Sequence, residues 1–349
     1  MDSRRNPTSP SGSEYATAPP VPTNVTGLTG EFTDPLWRAP VRLNPVEADL
    51  LRTRPLRRLH FVTHGGSSTL TTLQTYSRLE HSLGVLSLAA HFAPDDADLR
   101  VAALLHDIGH LPLSHTFEGL AGLDHHEIGL RLVRSDPIRS VLRDHGIEAG
   151  TIVDRLRGRH PSPLTGHPGL LNLDHLDSYV RSGRSAGRLD TDPAVLLSRL
   201  DLRDHTVSAD AGTAAALVAL IRAEARLHTS WDNVGPTSVV QRLVRRLLDH
   251  TPLTPEAVAR MTDAQLWSAL DSCPATRAES GRVQYEPHRL KVGPQGETGE
   301  HPGWPFSLRK IYSSAPLVDG EKLEHAAPEL AAELSALRAL PLDFRVSWD

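Results

Sequence analysis

Histidine is the residue type in this chain that is most able to do chemistry. The chain of 349 residues contains 19 histidines, and several fall between positions 81 and 126. Imidazole is the commonest metal ligand in proteins and the side chain that titrates nearest to neutral pH. The cluster therefore indicates metal binding or acid–base catalysis. Its members are His81, His91, His106, His110, His115, His125 and His126.

One subset of these residues has the composition of a metal site. His106 and Asp107 are adjacent where a predicted helix runs into Gly109, a residue that stops helices. His81 lies on the preceding predicted helix, and Asp174 lies on a later one. Two nitrogen and two oxygen ligands from three helices suit Mn, Fe, Ni, Co, Zn or Mg and select poorly among them. The sequence thus predicts a divalent metal site.

The elements that must position these residues are mainly helices. Apolar residues recur at spacings of three and four through most of the chain, which is the helical period. Residues 281–311 are rich in Gly, Pro and charge, and we predict a loop with short β pieces there. The predicted helices that bear on the argument are 45–59, 76–92, 99–107, 125–133 (capped by Asp124), 171–182, 212–231, 236–248, 255–270 and 326–337.

Composition excludes several classes of function. The net charge is −5, which argues against binding to a nucleic-acid backbone. The longest apolar runs are far shorter than the ~20 residues of a membrane span, so we expect no membrane partner. The single cysteine, Cys273, excludes an internal disulfide and a Cys-rich zinc site. Because no export signal opens the chain either, we expect a cytoplasmic protein.

Four separated motifs carry a resemblance to a known family. In order, they are RLEHSLGV at 78–85, HDIGHLPLSH at 106–115, HE at 126–127 and LDHLD at 173–177. Together they resemble the HD-domain phosphohydrolases, and most closely the deoxynucleoside-triphosphate triphosphohydrolase branch, which includes the sterile-alpha-motif-and-HD-domain enzymes. The resemblance implies a metal-dependent enzyme that hydrolyses phosphate esters of a nucleotide or a related phosphorylated small molecule. It also implies a homo-oligomer.

The resemblance implies a mainly α fold: an HD-domain helical bundle with a small N-terminal β-hairpin and an irregular C-terminal extension. We expect a disordered tail at 1–30, because this segment has few large apolar side chains. The HD domain would cover 31–250. A helical and irregular extension, 251–349, would pack on it.

Carried over residue by residue, the resemblance also implies roles at the site. Arg78, His110 and His115 would contact the substrate, Arg78 through its phosphates. His126 would be the catalytic imidazole, with Glu118 as its acidic partner. The metal ligands would be His81, His106, Asp107 and Asp174, of which Asp107 also counts among the catalytic residues.

Several positions depart from the family pattern. His175 replaces a phosphate-binding Lys, and Arg222 aligns with a phosphate-binding Arg. Where the family grips deoxyribose, this chain has Phe61, Ser178, Ser182 and Ser230. The residues that the resemblance implies for metal binding and catalysis are therefore all present, whereas the residues with which the family binds deoxyribose, which we call the sugar-reading positions, are largely replaced. The remaining histidines His60, His64 and His91 are expected to be ordinary surface or core residues.

Two other classes of function stay open at this point. The first is a nucleotide-binding regulator that keeps the HD fold without turnover, although a pure binder needs no complete metal set. The second is a di-iron oxygenase, since some HD-fold proteins add two further histidine ligands, a role that His110 and His126 would fit.

Overall fold

The structure is a computed structural model, and it describes residues 24–159, 161–294 and 303–349. Most of the predicted N-terminal tail lies outside these residues. The chain is mainly helical, as predicted. The helices are α1 (Pro45–Leu51), α2 (Arg54–Arg58), α3 (Arg78–Phe92), α4 (Ala97–Leu105), α5 (His125–Val133), α6 (Ile138–Asp144), α7 (Ala149–Leu156), α8 (Leu173–Ser185), α9 (Pro193–Leu197), α10 (Ala211–His228), α11 (Trp231–His250), α12 (Pro255–Ala259), α13 (Asp263–Ser272), α14 (Arg277–Tyr285), α15 (Leu323–Ala326) and α16 (Pro328–Ser335).

The strands are short and form three small sheets. Their bounds are β1 (Glu31–Thr33), β2 (Pro40–Arg42), β3 (Leu200–Arg203), β4 (Thr206–Ala209), β5 (Leu290–Pro294), β6 (Trp304–Ser307), β7 (Leu317–Val318), β8 (Glu321–Lys322) and β9 (Asp343–Trp348). The first sheet is the antiparallel β1–β2 hairpin, which confirms the predicted N-terminal hairpin. The second has the order β3-β4-β7-β8, with β4 and β7 parallel, and the third has the order β5-β9-β6.

Helix α3 is the centre of the bundle. It begins after Ser77, whose hydroxyl accepts a hydrogen bond from the backbone N–H of Glu80, and it packs against α4 and α8. The approach of α8 depends on Gly84, because a Cβ there would lie 2.1 Å from both the Asp177 carboxylate and the Arg181 guanidinium. A side chain at position 84 would displace this pair, and Asp177 is the residue that contacts the predicted metal ligand His81.

Two apolar cores lie on either side of the site. The first is built from the hairpin, α3, α4, α8 and α10. The second joins the loop after the His-Asp pair to α11, α13 and the β5-β9-β6 sheet. Asp263 of α13 ties the two parts together, since its carboxylate accepts from the backbone N–H groups of Leu113 (2.7 Å) and Thr63 (2.8 Å). Helix α11 therefore packs with the C-terminal extension, although it precedes the predicted boundary at residue 250.

Some predicted elements differ in their bounds. The helix predicted at 45–59 is two helices, because Pro55 lacks an amide N–H and α2 restarts at its own cap, Thr53. The helix predicted at 255–270 is divided at Thr262, which begins α13 with a capping box. Residues 277–285 form α14 rather than the start of a loop. Among the described residues, no helix is long and apolar enough to cross a membrane.

Candidate active site

The four predicted metal ligands converge at one point. The Nε2 atoms of His81 and His106 lie 3.2 Å apart. Asp174 Oδ1 lies 3.1 Å from His81 Nε2 and 3.6 Å from His106 Nε2. The Asp107 carboxylate lies 3.6 Å and 3.5 Å from the same two nitrogens. His81, His106 and Asp174 thus have ligand atoms close enough together to hold a single cation, and the Asp107 carboxylate lies beside them.

Both imidazoles have their other ring nitrogen engaged. His81 Nδ1 lies 2.8 Å from Asp177 Oδ2, and His106 Nδ1 lies 2.7 Å from the carbonyl oxygen of Ala103. Nδ1–H donation to these acceptors leaves each Nε2 lone pair directed at the cluster, which is the tautomer a metal-binding histidine needs. The donor set fits a divalent metal ion.

The charge of the cluster supports the same assignment. Burial alone would lower the pKa of His106, but the carboxylates of Asp107 and Asp174 raise it to about 9. Burial opposes ionisation of Asp107, yet the neighbouring imidazoles and Arg78 hold its pKa well below its usual range. The cluster therefore carries negative charge that either protons or a cation can balance.

A buried charged network supports His81 from behind. Asp177 Oδ1 accepts hydrogen bonds from Trp37 Nε1 (2.7 Å) and Arg181 Nη2 (2.8 Å). Arg181 in turn lies 2.9 Å from Asp34, whose other oxygen caps the turn of the N-terminal hairpin. Although burial raises it, Arg181 and His81 lower the pKa of Asp177 to about 2. The hairpin thus helps to fix the orientation of His81, one of the predicted metal ligands.

Arg78 lies at the cluster but is already paired. Its Nη1 lies 2.7 Å from Asp107 Oδ2, and its Nε donates to Ser114 Oγ at 2.7 Å. The side chain lines the cavity described below and is almost fully buried. Arg78 therefore lies beside the predicted metal, where it orients Asp107 and faces any phosphate bound there.

Three further histidines form a second group next to the first. The ligand nitrogens of His110, His115 and His125 all lie within 4.8 Å of one another. The rings of His110 and His125 stack with centroids 4.1 Å apart, and His110 Nε2 lies 3.0 Å from Asp107 Oδ1. Gly109 allows this approach, since a Cβ there would lie 2.1 Å from the carbonyl oxygen of His125.

Glu118, the predicted acidic partner of His126, contacts a different histidine in the structure. Glu118 Oε2 lies 3.0 Å from His125 Nδ1, and Glu118 Oε1 accepts the backbone N–H of His125 at 3.0 Å. The predicted pairing of Glu118 with His126 is therefore wrong. At the start of α5, His125 turns inward and is buried, whereas His126 is more exposed. Both rings line the cavity.

Three residues of the cluster, His106, Asp107 and Asp174, line a cavity of about 870 Å3, and His81 is buried directly beside them. One wall comes from the loop between α4 and α5, and another from α8 and α10. Residues 306–310 and Tyr312, after β6, form a further side. His115 and His175 also line the cavity, as predicted substrate contacts should. His175 Nδ1 lies 3.0 Å from Ser314 Oγ, and its ring lies 5.5 Å from that of Tyr312.

Several predicted substrate contacts lie outside this cavity. Arg222 forms an ion pair with Glu333 of α16 and is not among the residues that line this cavity, so its predicted contact with substrate stays a prediction that the geometry does not support. Phe61 is 57% exposed and does not line it either. Ser230 donates to the carbonyl of Leu227 at the end of α10. Of the four sugar-reading positions, Ser178 alone contributes to the cavity surface.

Three residues that the sequence did not single out line the cavity next to Ser182, a region that we call the sugar-reading lobe. Ser182 is buried under Gln74 and Glu224, with which it forms two short hydrogen bonds. Glu224 also lies 3.2 Å from His228 on the same face of α10. Gln74, Glu224 and His228 line the cavity. The lobe is therefore filled by an amide, a carboxylate and an imidazole that the sequence alone did not indicate.

His64 is a second site residue that the sequence did not identify. It lines the cavity, its ring lies 4.7 Å from that of His81, and its Nε2 lies 3.3 Å from Ser178 Oγ. Burial and Arg78 hold the pKa of His64 well below its usual range, so the ring is neutral. In the sequence, the pair Gly65-Gly66 that follows His64 could have indicated this role, because glycines allow a loop to approach a cavity closely.

Comparisons with known proteins agree with this geometry. Residues 78–204 match the family model of the HD domain. The metal-dependent phosphohydrolase cns2 of Cordyceps militaris is 26% identical over 246 residues, 65% of this chain and 68% of that protein. The deoxynucleoside triphosphate triphosphohydrolase SAMHD1 of Xenopus laevis is 33% identical, but over only 25% of this chain and 16% of its own length.

Solved structures show the same fold. A phosphohydrolase from Bacteroides thetaiotaomicron superimposes with a TM-score of 0.67 and 16% identity, over 91% of this chain and 99% of that one. A hypothetical protein from Aquifex aeolicus gives a TM-score of 0.69 and 20% identity, over 91% and 96%. Residues 78–204 of this chain therefore form an HD domain, and about two thirds of the chain is similar to a metal-dependent phosphohydrolase. The chain is an enzyme of the HD phosphohydrolase type, and its cofactor is a divalent metal ion.

Proposed function

We propose that this enzyme hydrolyses a phosphate ester of a nucleotide, with His81, His106, Asp107 and Asp174 as the metal ligands. The observation that carries the proposal is the convergence of these four side chains beside a cavity of about 870 Å3, which three of them line and which is large enough for a nucleotide. When bound, a divalent ion supplies Lewis-acid stabilisation of the negative charge that develops on the phosphate.

The residues around the metal cluster have complementary tasks. Arg78 holds Asp107 in place and presents a cation to the phosphate. His110 lies 3.0 Å from Asp107, and its Nδ1 has no hydrogen-bond partner among the described residues. Since burial and Arg78 hold the pKa of His110 well below its usual range, a neutral ring is available there to bind a substrate oxygen.

We assign the catalytic imidazole to His125 rather than His126. A histidine that a neighbouring carboxylate holds in place can act as general acid toward the leaving oxygen. Glu118 provides that carboxylate, since its Oε2 lies 3.0 Å from His125 Nδ1 and its Oε1 accepts the backbone N–H of His125 at 3.0 Å. His126 keeps a place on the cavity wall, where it contacts substrate without an acidic partner of this kind.

The proposal also covers the metal ion, the oligomeric state and the cellular compartment of the enzyme. Manganese is the ion with which we would load the mixed nitrogen and oxygen site first. The resemblance to the triphosphohydrolase branch favours a homo-oligomer. The single cysteine, Cys273, is buried and unpaired, which suits a reducing cytoplasm.

A panel assay tests the proposed function. The purified chain is stripped with a chelator, reloaded with Mn2+ and incubated with ribo- and deoxyribonucleotides carrying one to three phosphates. Chromatography then identifies the products. We expect metal-dependent release of phosphate or triphosphate from at least one nucleotide, and none from the Asp107→Asn variant. A metal-loaded protein that cleaves no member of the panel would contradict the assignment.

The second histidine group favours one alternative. His110, His115 and His125 have the ligand spacing of a further metal site, as a di-iron oxygenase requires. Elemental analysis and an oxygen electrode separate the two candidates. One metal ion per chain and hydrolysis without oxygen uptake support the phosphohydrolase. Two irons per chain with oxygen consumed on turnover support the oxygenase.

A further inference from the structure

The segment after β6 lines the cavity that also exposes the metal cluster. At one end, the backbone N–H of Leu308 donates to the carbonyl of Leu342 at 2.8 Å. At the other end, the backbone N–H of Ala315 donates to Gly169 at 2.9 Å. Because the segment is fixed at both ends, the side chains between them are held above the cavity rather than free in solvent.

Two cations of this segment have no acidic partner among the residues that the structure describes. Arg309 and Lys310 line the cavity and are exposed to it. No carboxylate of the described residues lies within 4 Å of either charged group. The other two cations in the lining are already paired, Arg78 with Asp107 at 2.7 Å and Arg157 with Glu127 at 3.7 Å.

Contacts on two sides define where these cations lie. Lys310 Nζ lies 4.4 Å from the centre of the Tyr312 ring, and Tyr312 lies edge-on to His175, the neighbour of Asp174. The guanidinium of Arg309 lies against Gly119, next to Glu118, where a Cβ would be 3.3 Å from its Nη1. The pair therefore spans the cavity between the helix that carries Asp174 and the loop that carries Glu118.

We propose that Arg309 and Lys310 form the phosphate-binding pair of this enzyme, closing over a phosphate group that the metal cluster holds from below. This assignment rests on the proposed function. The two carboxylates of the cluster neutralise a divalent ion, so a phosphate dianion needs further positive charge. A guanidinium offers two parallel donors and an ammonium a compact charge, which together match a phosphate. The pair thus supplies the permanent positive charge that a lysine would provide at the position of His175.

Inorganic phosphate, a product of the simplest such reaction, is the probe that tests the pair. We would measure its dissociation constant on the metal-loaded full chain by calorimetry, for the wild type and for Arg309→Gln, Lys310→Gln and the double variant. Lys322→Gln is the matched control, because Lys322 is exposed on β8 and does not line the cavity. Lys310→Arg tests for rescue by a conserved charge.

We expect each single variant to weaken phosphate binding at least fivefold and the double variant at least 20-fold. The Lys322→Gln and Lys310→Arg variants should stay within twofold of the wild type, and metal content should be unchanged throughout. With a hydrolysed nucleotide, KM should rise at least tenfold in the double variant while kcat changes less than threefold. This split distinguishes a binding role from a structural one.

Other results would overturn the assignment. Unchanged phosphate binding in the double variant would remove the pair from the site. An equal loss in Lys322→Gln would mean that total charge, rather than position, is responsible. Because calorimetry needs no turnover, a wild type that cleaves no nucleotide but binds phosphate through the pair would disprove the proposed function alone. A wild type that cleaves nucleotides and binds phosphate without the pair would disprove this inference alone.

Discussion

His81 Nδ1 lies 2.8 Å from Asp177 Oδ2, and both side chains are completely buried. The contact directs the opposite nitrogen of His81 toward the metal cluster. Asp177 belongs to the same helix as the proposed metal ligand Asp174, so α8 carries both a proposed ligand and the group that orients another one. Partners of this kind typically account for 10- to 100-fold in metal affinity.

Asp177→Asn should therefore weaken Mn2+ binding by about 10- to 100-fold. The amide can still accept from His81, but it leaves the buried Arg181 with less negative charge and can present its NH2 group to one of its donors. A competition titration against a fluorescent chelator measures the affinity. Binding within twofold of the wild type would show that His81 needs no carboxylate behind it.

Trp37→Phe is the control for lost packing and stability. It keeps an aromatic ring in the hairpin but removes the Nε1 donor to Asp177. We expect the free energy of unfolding to fall by about 1 to 2 kcal/mol, because one buried acceptor loses a partner. Denaturant titration of both variants then separates the stability loss from the metal effect.

Metal retention should depend directly on the His-Asp pair. His106→Ala or Asp107→Ala removes a ligand that no neighbour can replace, so the purified variants should lose the metal and all detectable hydrolysis. Elemental analysis after gel filtration is the measurement. His91→Ala is the matched control, since His91 is an exposed histidine at the far end of α3. Full metal and most of the activity in either ligand variant would refute the ligand set.

The catalytic imidazole can be identified by comparing two neighbouring variants. If His125 is the proton donor, His125→Ala should lower kcat by about 100-fold or more with its metal retained, the range of general acid–base catalysis. His126→Ala should lower kcat less than tenfold. Single-turnover rates at saturating substrate test this comparison.

Glu118→Gln completes that experiment. It keeps the shape of the side chain but removes the charge beside His125, so its kcat should fall together with that of His125→Ala. A normal rate for His125→Ala with a large loss for His126→Ala would restore the role to His126, as the His-Glu sequence suggested.

The sequence predicted the metal ligands because their signals are local. Asp124 caps α5, and the bounds of this helix agree with the prediction. His106 and Asp107 are neighbours, so one helix end places both of them. His81 and Asp174 were proposed as their partners from residue type and predicted helices, but only the resemblance made this set specific, since no local pattern brings α3 and α8 together.

The substrate side could not be predicted in the same way. Arg222 and Glu224 differ by two positions, or about 200° around a helix, so a small alignment gap exchanges a cavity residue for an outer one. Arg309 and Lys310 lie at the site although they are far along the chain from His106 and Asp107. Their position depends on the β6–β9 pairing, whose strands are too short to give a strong sequence signal.

The substrate prediction follows from the sugar-reading lobe. Phe61 and Ser230 lie outside the cavity surface, and Ser178 has no group that can stack on a sugar. Glu224 instead places a carboxylate in the wall, where it can accept hydrogen bonds from ribose hydroxyls. A site that lacks the groups that grip deoxyribose has little basis for rejecting other sugars.

We therefore expect no strict preference for deoxynucleoside triphosphates. Ribonucleotides, modified nucleotides or monophosphates should be turned over at least comparably, as measured by kcat/KM under identical metal loading. Glu224→Gln should lower kcat/KM for a ribonucleotide more than for its deoxy counterpart, because only the former has the 2′-hydroxyl that the carboxylate can bind. A preference of the wild type for deoxynucleoside triphosphates above ~100-fold, about 2.7 kcal/mol of transition-state discrimination, would refute this expectation.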